Sequence, residues 1–426
     1  MIVKALKDLS LEERKKIVER NKINYEEIFD SVNKILKDVK ERGDEALKHY
    51  TKIFDNVDLD NFEVTEEEIE EAYNKVDYKV IEALEVAKEN ILYFHKKQME
   101  NVKELRVKKE GILGQIIRPI NKVGCYVPGG RAFYPSTVLM TTIPAKVAGC
   151  KEIYIVSPPN KEGKGNEATL IAGDLVGVTK MFKVGGVQAI GALAYGTESI
   201  PKVDIIVGPG NIYVTLAKKL VYGDVNIDFL AGPSEVLIIA DESANSEFIA
   251  VDFLAQAEHD PNASCVALLT SKEKAEEVKD KIFELLNKAE RKEIIEKALK
   301  NSAILYDEDI DKLIEFSNEY APEHLEIFLK NPEEILDKIE SAGSIFLGEL
   351  TPVPLGDYIS GTNHVLPTSR FAKMCSGLNV ETFLKKITYQ KFDIEGLKKI
   401  GDKAIVLAEA EGLKMHAEAI RKRLRQ

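Results

Sequence analysis

Up to about Val102, apolar positions recur at three- and four-residue intervals with charges between them, as in KINYEEIFDSVNKILKDVKERGDEALKHYTKIF. That period puts an apolar stripe on one side of a helix, so this region is expected to be helical scaffold. Beyond it the texture changes to short β-branched runs separated by glycines and helical stretches: EIYIVSPP, KMFKVGG, VDIIVGPG and EVLIIAD. Strand alternating with helix predicts a parallel sheet, with ligand loops at the carboxyl ends of its strands. A second set follows, SCVALLTS, a charged helical run from Lys272 to Leu299, then SAILYDED, EHLEIFL and GSIFLGE. Two α/β units account for the pattern. From Leu384 the chain returns to amphipathic helix with no strand signal, a tail expected to pack on something else, such as another subunit.

The six histidines separate by context. His49 and His95 sit among lysines on helical patterns and read as ordinary, partly exposed side chains. In DFLAQAEHD, Asp252, Gln256 and His259 fall at i, i+4 and i+7 and share a helical face. An imidazole and an oxygen ligand one turn apart can meet at a single Zn²⁺, and spacing does not choose between Asp252 and Gln256; the bland alternative is a solvated polar stripe. In SNEYAPEHLEIFL, Pro322 disfavours helix at Ala321, so Glu323 and His324 stand at a helix-to-strand junction. Adjacent acid and imidazole on a loop can form an acid–base pair for proton transfer near neutrality. His364 lies in LGDYISGTNHVLPTS, a loop of substrate-holding composition that also carries Asp357. His416 follows Glu411 by five residues, about 500° around a helix, so the two need not share a ligand.

Three glycine-bearing turns flank the first sheet. GPGNIY (Gly208 to Tyr213) follows a strand and precedes a helix, the setting for phosphate binding at a helix N-terminus, but Tyr213 stands where the dinucleotide fingerprint has its third glycine. KVGGVQAIGALAYG (Lys183 to Gly196) and GCYVPGGRAFYPS (Gly124 to Ser136) are the others. Together they can line one crevice, although such turns also serve tight packing.

Charge and cysteine usage narrow the function classes. Lysine and arginine number 59 against 71 acids, a net charge of −12, and the one dense basic run, RKRLRQ, reads as a solvated helix end; no nucleic-acid partner is expected. No stretch approaches the roughly 18 unbroken apolar residues of a membrane span, and the N-terminus lacks a secretory h-region, so a cytoplasmic protein with no membrane partner is expected. Cys125, Cys150, Cys265 and Cys375 are scattered without CxxC spacing, which argues against a disulfide framework and a Cys-based metal site.

Considered together, YVPGGRAFYPSTVLM, VGGVQAIGALAYGTESIPKVDIIVGPGNIYV, DFLAGPSEVLIIAD, QAEHDPNAS, APEHLEI and GDYISGTNHVLPT resemble the histidinol dehydrogenase family, in the family's order and nearly continuously from Gly124 to Val380; beyond that stretch EGLKMHAEAI also matches. The resemblance implies an α/β fold of two incomplete Rossmann-like, doubly wound units, aldehyde-dehydrogenase-like, with a helical N-terminal arm and C-terminal tail. The expected division is an arm at 1–22, a first α/β domain at 23–125 plus 235–378 with the metal and catalytic residues, an inserted NAD-binding domain at 126–234, and a tail at 379–426 that crosses to the other subunit of a homodimer. It implies one Zn²⁺ per subunit on Gln256, His259, Asp357 and His416, which decides against Asp252. Ser234, Gln256, His259, His324, Asp357, His364, Glu411 and His416 would surround L-histidinol, and Tyr126, Gln188 and Asn211 would contact NAD.

The implied reaction is the four-electron oxidation of L-histidinol to L-histidine through L-histidinaldehyde, with two NAD reduced, at the end of histidine biosynthesis. His324 would remove the hydroxyl proton and Glu323 would activate the water that adds to the aldehyde. A covalent route would need a nucleophilic cysteine, for which Cys125 is the one well-placed candidate. Two other readings compete: a zinc hydrolase in which Glu323 activates metal-bound water, and a metal-binding interaction protein on the same scaffold. Neither gives the three glycine turns a purpose.

Overall fold

The computed structural model describes residues 1–20, 25–129 and 133–425. The expected arm boundary at 22–23 and Gly130–Ala132 of the PGGRAF turn lie outside the described residues.

The chain opens with β1 (Ile2–Ala5) and α1 (Leu11–Val18), the helix started by a reciprocal Ser10–Glu13 capping box. The arm is therefore more than helical, because β1 pairs in parallel with residues 303–306 as the edge strand of a sheet. Helices α2 (Glu26–Arg42), α3 (Asp44–Phe54), α4 (Glu66–Lys75) and α5 (Tyr78–Glu100) follow, as the apolar period predicts, and then strands β2 (Leu105–Lys108) and β3 (Ile112–Pro119).

The first α/β unit runs β4 (Lys122–Tyr126), α6 (Pro135–Ala148), β5 (Glu152–Ser157), α7 (Glu167–Val176), β6 (Lys180–Lys183), α8 (Gly186–Tyr195), β7 (Ile205–Val207), α9 (Ile212–Val221) and β8 (Asn226–Ile227). Its sheet is parallel in the order β6-β5-β4-β7-β8, so the winding reverses between β4 and β7 and opens a crevice at their carboxyl ends. On one face, Val32, Leu36 and Val39 of α2 share a core with Val187, Ile190 and Leu193 of α8. On the other, Leu84, Ala87 and Ile91 of α5 pack with Ile143 of α6 and Leu170 of α7. The packing thus joins α2–α5 to this sheet, and α5 also meets Val365 and Leu378 of the 235–378 segment. A helical period shows that a face is buried but not which sheet covers it.

The second unit runs β9 (Glu235–Ala240), α10 (Ser246–Ala257), β10 (Ser264–Leu269), α11 (Lys272–Leu286), α12 (Lys292–Ala298), β11 (Ala303–Tyr306), α13 (Ile310–Tyr320), β12 (His324–Phe328), β13 (Ser344–Leu347) and α14 (Val353–Tyr358). Its six strands are all parallel, in the order β1-β11-β10-β9-β12-β13. Both faces are covered, which is why EVLIIA and SCVALL are continuously buried.

The tail contains a strand that its sequence pattern does not announce: β14 (Leu384–Lys391) pairs antiparallel with β3, which also pairs with β2. The ribbon is largely exposed, so lysines occupy positions that a buried strand would fill with apolar residues. Helices α15 (Ile394–Ala410) and α16 (Lys414–Leu424) then pack on each other and leave Val406, Leu407, Leu413 and Met415 exposed. No helix among the described residues is long and apolar enough to cross a membrane.

Candidate active site

Helix α13 ends at Tyr320, and Ala321 takes a left-handed conformation (φ +50°), a strain of about 1–3 kcal/mol for a residue other than glycine. Pro322 bars the right-handed alternative, so the chain turns abruptly and delivers Glu323 and His324 to the start of β12. Both are buried, and both are held by one residue of the neighbouring strand. The Glu235 N–H donates to Glu323 Oε2 at 2.8 Å, and the Glu235 carbonyl accepts from His324 Nδ1 at 2.9 Å. That leaves His324 Nε2 without a hydrogen-bond partner among the described residues, 3.7 Å from Asp357 Oδ1.

Burial pushes the Glu323 carboxyl up to about 8, against the pull of His324 and the Glu235 N–H. Burial by itself would lower the His324 pKa, but Glu323 at 3.6 Å and Asp357 outweigh it and carry the imidazole up to about 9. Asp357 stays below the usual carboxylate range despite its burial, because His324, His364 and His259 all favour its charged form.

His364 faces Asp357 from the loop after α14. Its Nδ1 lies 2.6 Å from the Asp357 carbonyl and its Nε2 lies 3.2 Å from Thr137 Oγ1 in the first turn of α6. Burial holds this imidazole below its ordinary pKa. The loop is anchored from beneath by His95, which is fully buried and not the partly exposed side chain expected. Its Nδ1 donates to the Ile91 carbonyl (2.8 Å), and its Nε2 lies 3.5 Å from Asn363 Nδ2. The Thr137–His364 contact, with that of Gly232 N–H to Thr368 Oγ1, brings the carboxyl edge of the first sheet to the second unit. In that second unit Glu235 and His324 sit at the amino ends of their strands, which for His324 is the helix-to-strand junction expected from Pro322.

Of the expected metal ligands, Gln256 is buried on the last turn of α10, and His259 follows that helix and acts on Asp357. Asp252, one turn earlier, faces inward to Glu326, which shares the sheet face of His324. Burial and the charge of Asp252 push Glu326 up to about 8, and burial raises Asp252 to about 6. Glu326 was missed, although the period of two in HLEIF places it beside His324. His416 and Glu411 are exposed on the tail, and neither is among the groups that act on Asp357. Among the described residues, no group of three or more His, Cys, Asp or Glu is placed to hold a metal within one chain. Ser234 immediately precedes β9.

The expected NAD contacts all lie at carboxyl ends of the first sheet. Tyr126 closes β4, and its hydroxyl accepts from the Gly186 N–H at 3.2 Å. Gln188, in the first turn of α8, has a buried Oε1 with no partner among the described residues. Asn211 caps α9, its side-chain oxygen accepting from the N–H groups of Tyr213 (3.0 Å) and Val214 (3.1 Å). Gly208 (φ +113°) passes so close to β4 that a Cβ would fall 2.2 Å from the Tyr126 carbonyl oxygen. The turn is braced by Lys218, which donates to the Gly208 carbonyl (2.9 Å) and to Asp228, while Asp228 accepts from the Gly208 N–H (2.8 Å). Lys218→Met should therefore cost about 3–5 kcal/mol in urea unfolding and raise KM for NAD, because it strands the buried Asp228 carboxylate. Cys125 is fully buried in β4, and burial pushes its thiol up to about 12, which removes it as a nucleophile.

The sequence pattern of the histidinol dehydrogenase family matches residues 18–424. The chain belongs to that family. It is therefore an NAD-dependent oxidoreductase. A histidinol dehydrogenase of Methanocaldococcus jannaschii is 74% identical over 426 residues, covering 100% of this chain and 99% of its own length. One from Methanococcus maripaludis is 61% identical over 425 residues, covering 100% of each chain. The crystal structure of histidinol dehydrogenase from Elizabethkingia anophelis superposes with a TM-score of 0.95 at 41% identity, covering 100% of this chain and 98% of that one.

Proposed function

We propose that the chain oxidises L-histidinol to L-histidine through L-histidinaldehyde, reducing two NAD in succession, at the end of histidine biosynthesis. The observation that carries this reading is the buried Glu323–His324 pair, with an unpartnered Nε2 directed to the side of Asp357. His324 Nε2 takes the hydroxyl proton of histidinol. It returns a proton to the aldehyde oxygen as Glu323 takes one from the adding water, and then removes a proton from the hydrate. NAD, held by Tyr126, Gln188 and Asn211, supplies the hydride acceptor for each oxidation.

Zinc suits the donors present. His259 acts on Asp357, Gln256 stands three residues before His259 at the end of α10, and the set would be completed by His416. The four carry one formal negative charge, so the metal keeps Lewis-acid character. Held there, zinc would anchor the imidazole and amine of the substrate and offset the Asp357 charge that raises His324. Ser234, His364 and Glu411 complete the substrate shell. Because His416 and Glu411 are exposed on a helical pair with an apolar surface, we assign them to the active site of the partner subunit in a homodimer.

The test is NADH formation from histidinol and NAD by the protein as isolated, after chelation, and after zinc is restored. Activity lost on chelation and regained with zinc is expected. Undiminished activity in metal-free protein would refute the zinc assignment, and absence of NADH in zinc-loaded protein would refute the dehydrogenase reading.

A further inference from the structure

Arg20 lies beyond α1, far from the candidate ligands in sequence, yet its side chain is only 2% exposed and reaches the back of the acid–base pair. Its Nε donates to Glu235 Oε1 (3.1 Å) and its Nη2 to Glu235 Oε2 (2.5 Å). Nη1 donates to the carbonyls of Val18 (3.0 Å) and Tyr320 (2.7 Å), and Nη2 also reaches the carbonyl of Ala321 (3.5 Å). The guanidinium lies over the Tyr320 ring, 3.2 Å from its centroid. The Glu235 carboxylate, itself fully buried, takes a further N–H from Ser369 at 3.0 Å.

These contacts join the two segments that define the pair. One is the entry of β9, where the backbone of Glu235 holds both Glu323 and His324. The other is the left-handed exit from α13 that leads directly into them. A buried ion pair is a poor source of stability, since desolvation offsets its attraction, but a bidentate guanidinium–carboxylate fork fixes direction as well as distance. Lysine would supply charge without the fork.

We infer that Arg20, through Glu235, is a positioning residue that fixes Glu323 and His324 in working geometry. The inference rests on the reading of those two residues as the acid–base pair. Loosening the Glu235 peptide displaces both groups together, so both half-reactions slow while the binding of histidinol and NAD, made mainly by residues outside this pair, is largely retained.

The test compares Arg20→Lys, Arg20→Met and the charge-free double variant Arg20→Met/Glu235→Gln with the unaltered protein, each supplied with NAD and either histidinol or histidinaldehyde. For the Met variants kcat should fall roughly tenfold to a hundredfold with both substrates, the scale of a small misplacement, with KM within about twofold. Arg20→Lys should fall between them and the unaltered protein. If Arg20→Met fails to fold because it strands a buried carboxylate, the double variant carries the same comparison.

Calorimetric titration with histidinol counts the competent sites. A kcat loss fully matched by lost sites, or unaltered kcat in folded Arg20→Lys and the double variant, would overturn the inference and leave Arg20 a structural rivet. His324→Asn is the control. If that variant is active the acid–base reading itself fails, whereas an inactive His324→Asn beside unimpaired Arg20 variants refutes only the role of Arg20.

Discussion

His324→Asn is expected to lower kcat for histidinol oxidation by roughly 10²–10⁴-fold, the usual worth of a positioned general base, with KM for histidinol and zinc content little changed. Asparagine retains a donor for the Glu235 carbonyl, so the fold at the start of β12 is preserved. It offers no basic nitrogen where Nε2 faces Asp357, so the hydroxyl proton has no acceptor. Steady-state kinetics together with metal analysis separate this outcome from loss of the site. A fully active variant would show that His324 moves no proton in the reaction.

Glu323→Gln should act on the second oxidation. The amide still accepts from the Glu235 N–H but cannot take a proton from water, so aldehyde oxidation should fall by roughly 10²–10⁴-fold. Histidinaldehyde should then accumulate, and NADH per histidinol should drop from two toward one. The pH dependence has a definite sign. Burial raises the Glu323 pKa to about 8, and the ionised form is the base, so aldehyde oxidation by the unaltered protein should increase as pH rises through about 8. The glutamine variant should lack that rise. Rapid mixing with histidinaldehyde across this range measures both effects, and the same rise in the variant would assign the titration to another group.

Much of this arrangement is legible in local sequence because local physics makes it. Pro322 after a helical run forces the turn that carries Glu323 and His324, and β-branched runs punctuated by glycine give the parallel strands and the crevice turns. The broken fingerprint at Tyr213 is intelligible once Asn211 is seen to cap α9 and Lys218 and Asp228 to brace the turn.

Long-range pairings are not legible in this way. Arg20 meets Glu235 across 215 residues and Thr137 meets His364 across 227, and no periodicity announces either. The attachment of α2–α5 to the first sheet, the β1 edge strand and the exposed β14 ribbon depend likewise on partners distant in the chain. Glu326 is different. Its alternation with His324 was visible, and only its burial against Asp252 gives that alternation meaning.

The most direct test of the central claim, that one acid–base pair serves two successive oxidations, is the amount of NADH formed per histidinol consumed by zinc-loaded protein, with the organic product identified. The account predicts a ratio of two, histidine as product and no free aldehyde. A ratio of one with aldehyde released would contradict it.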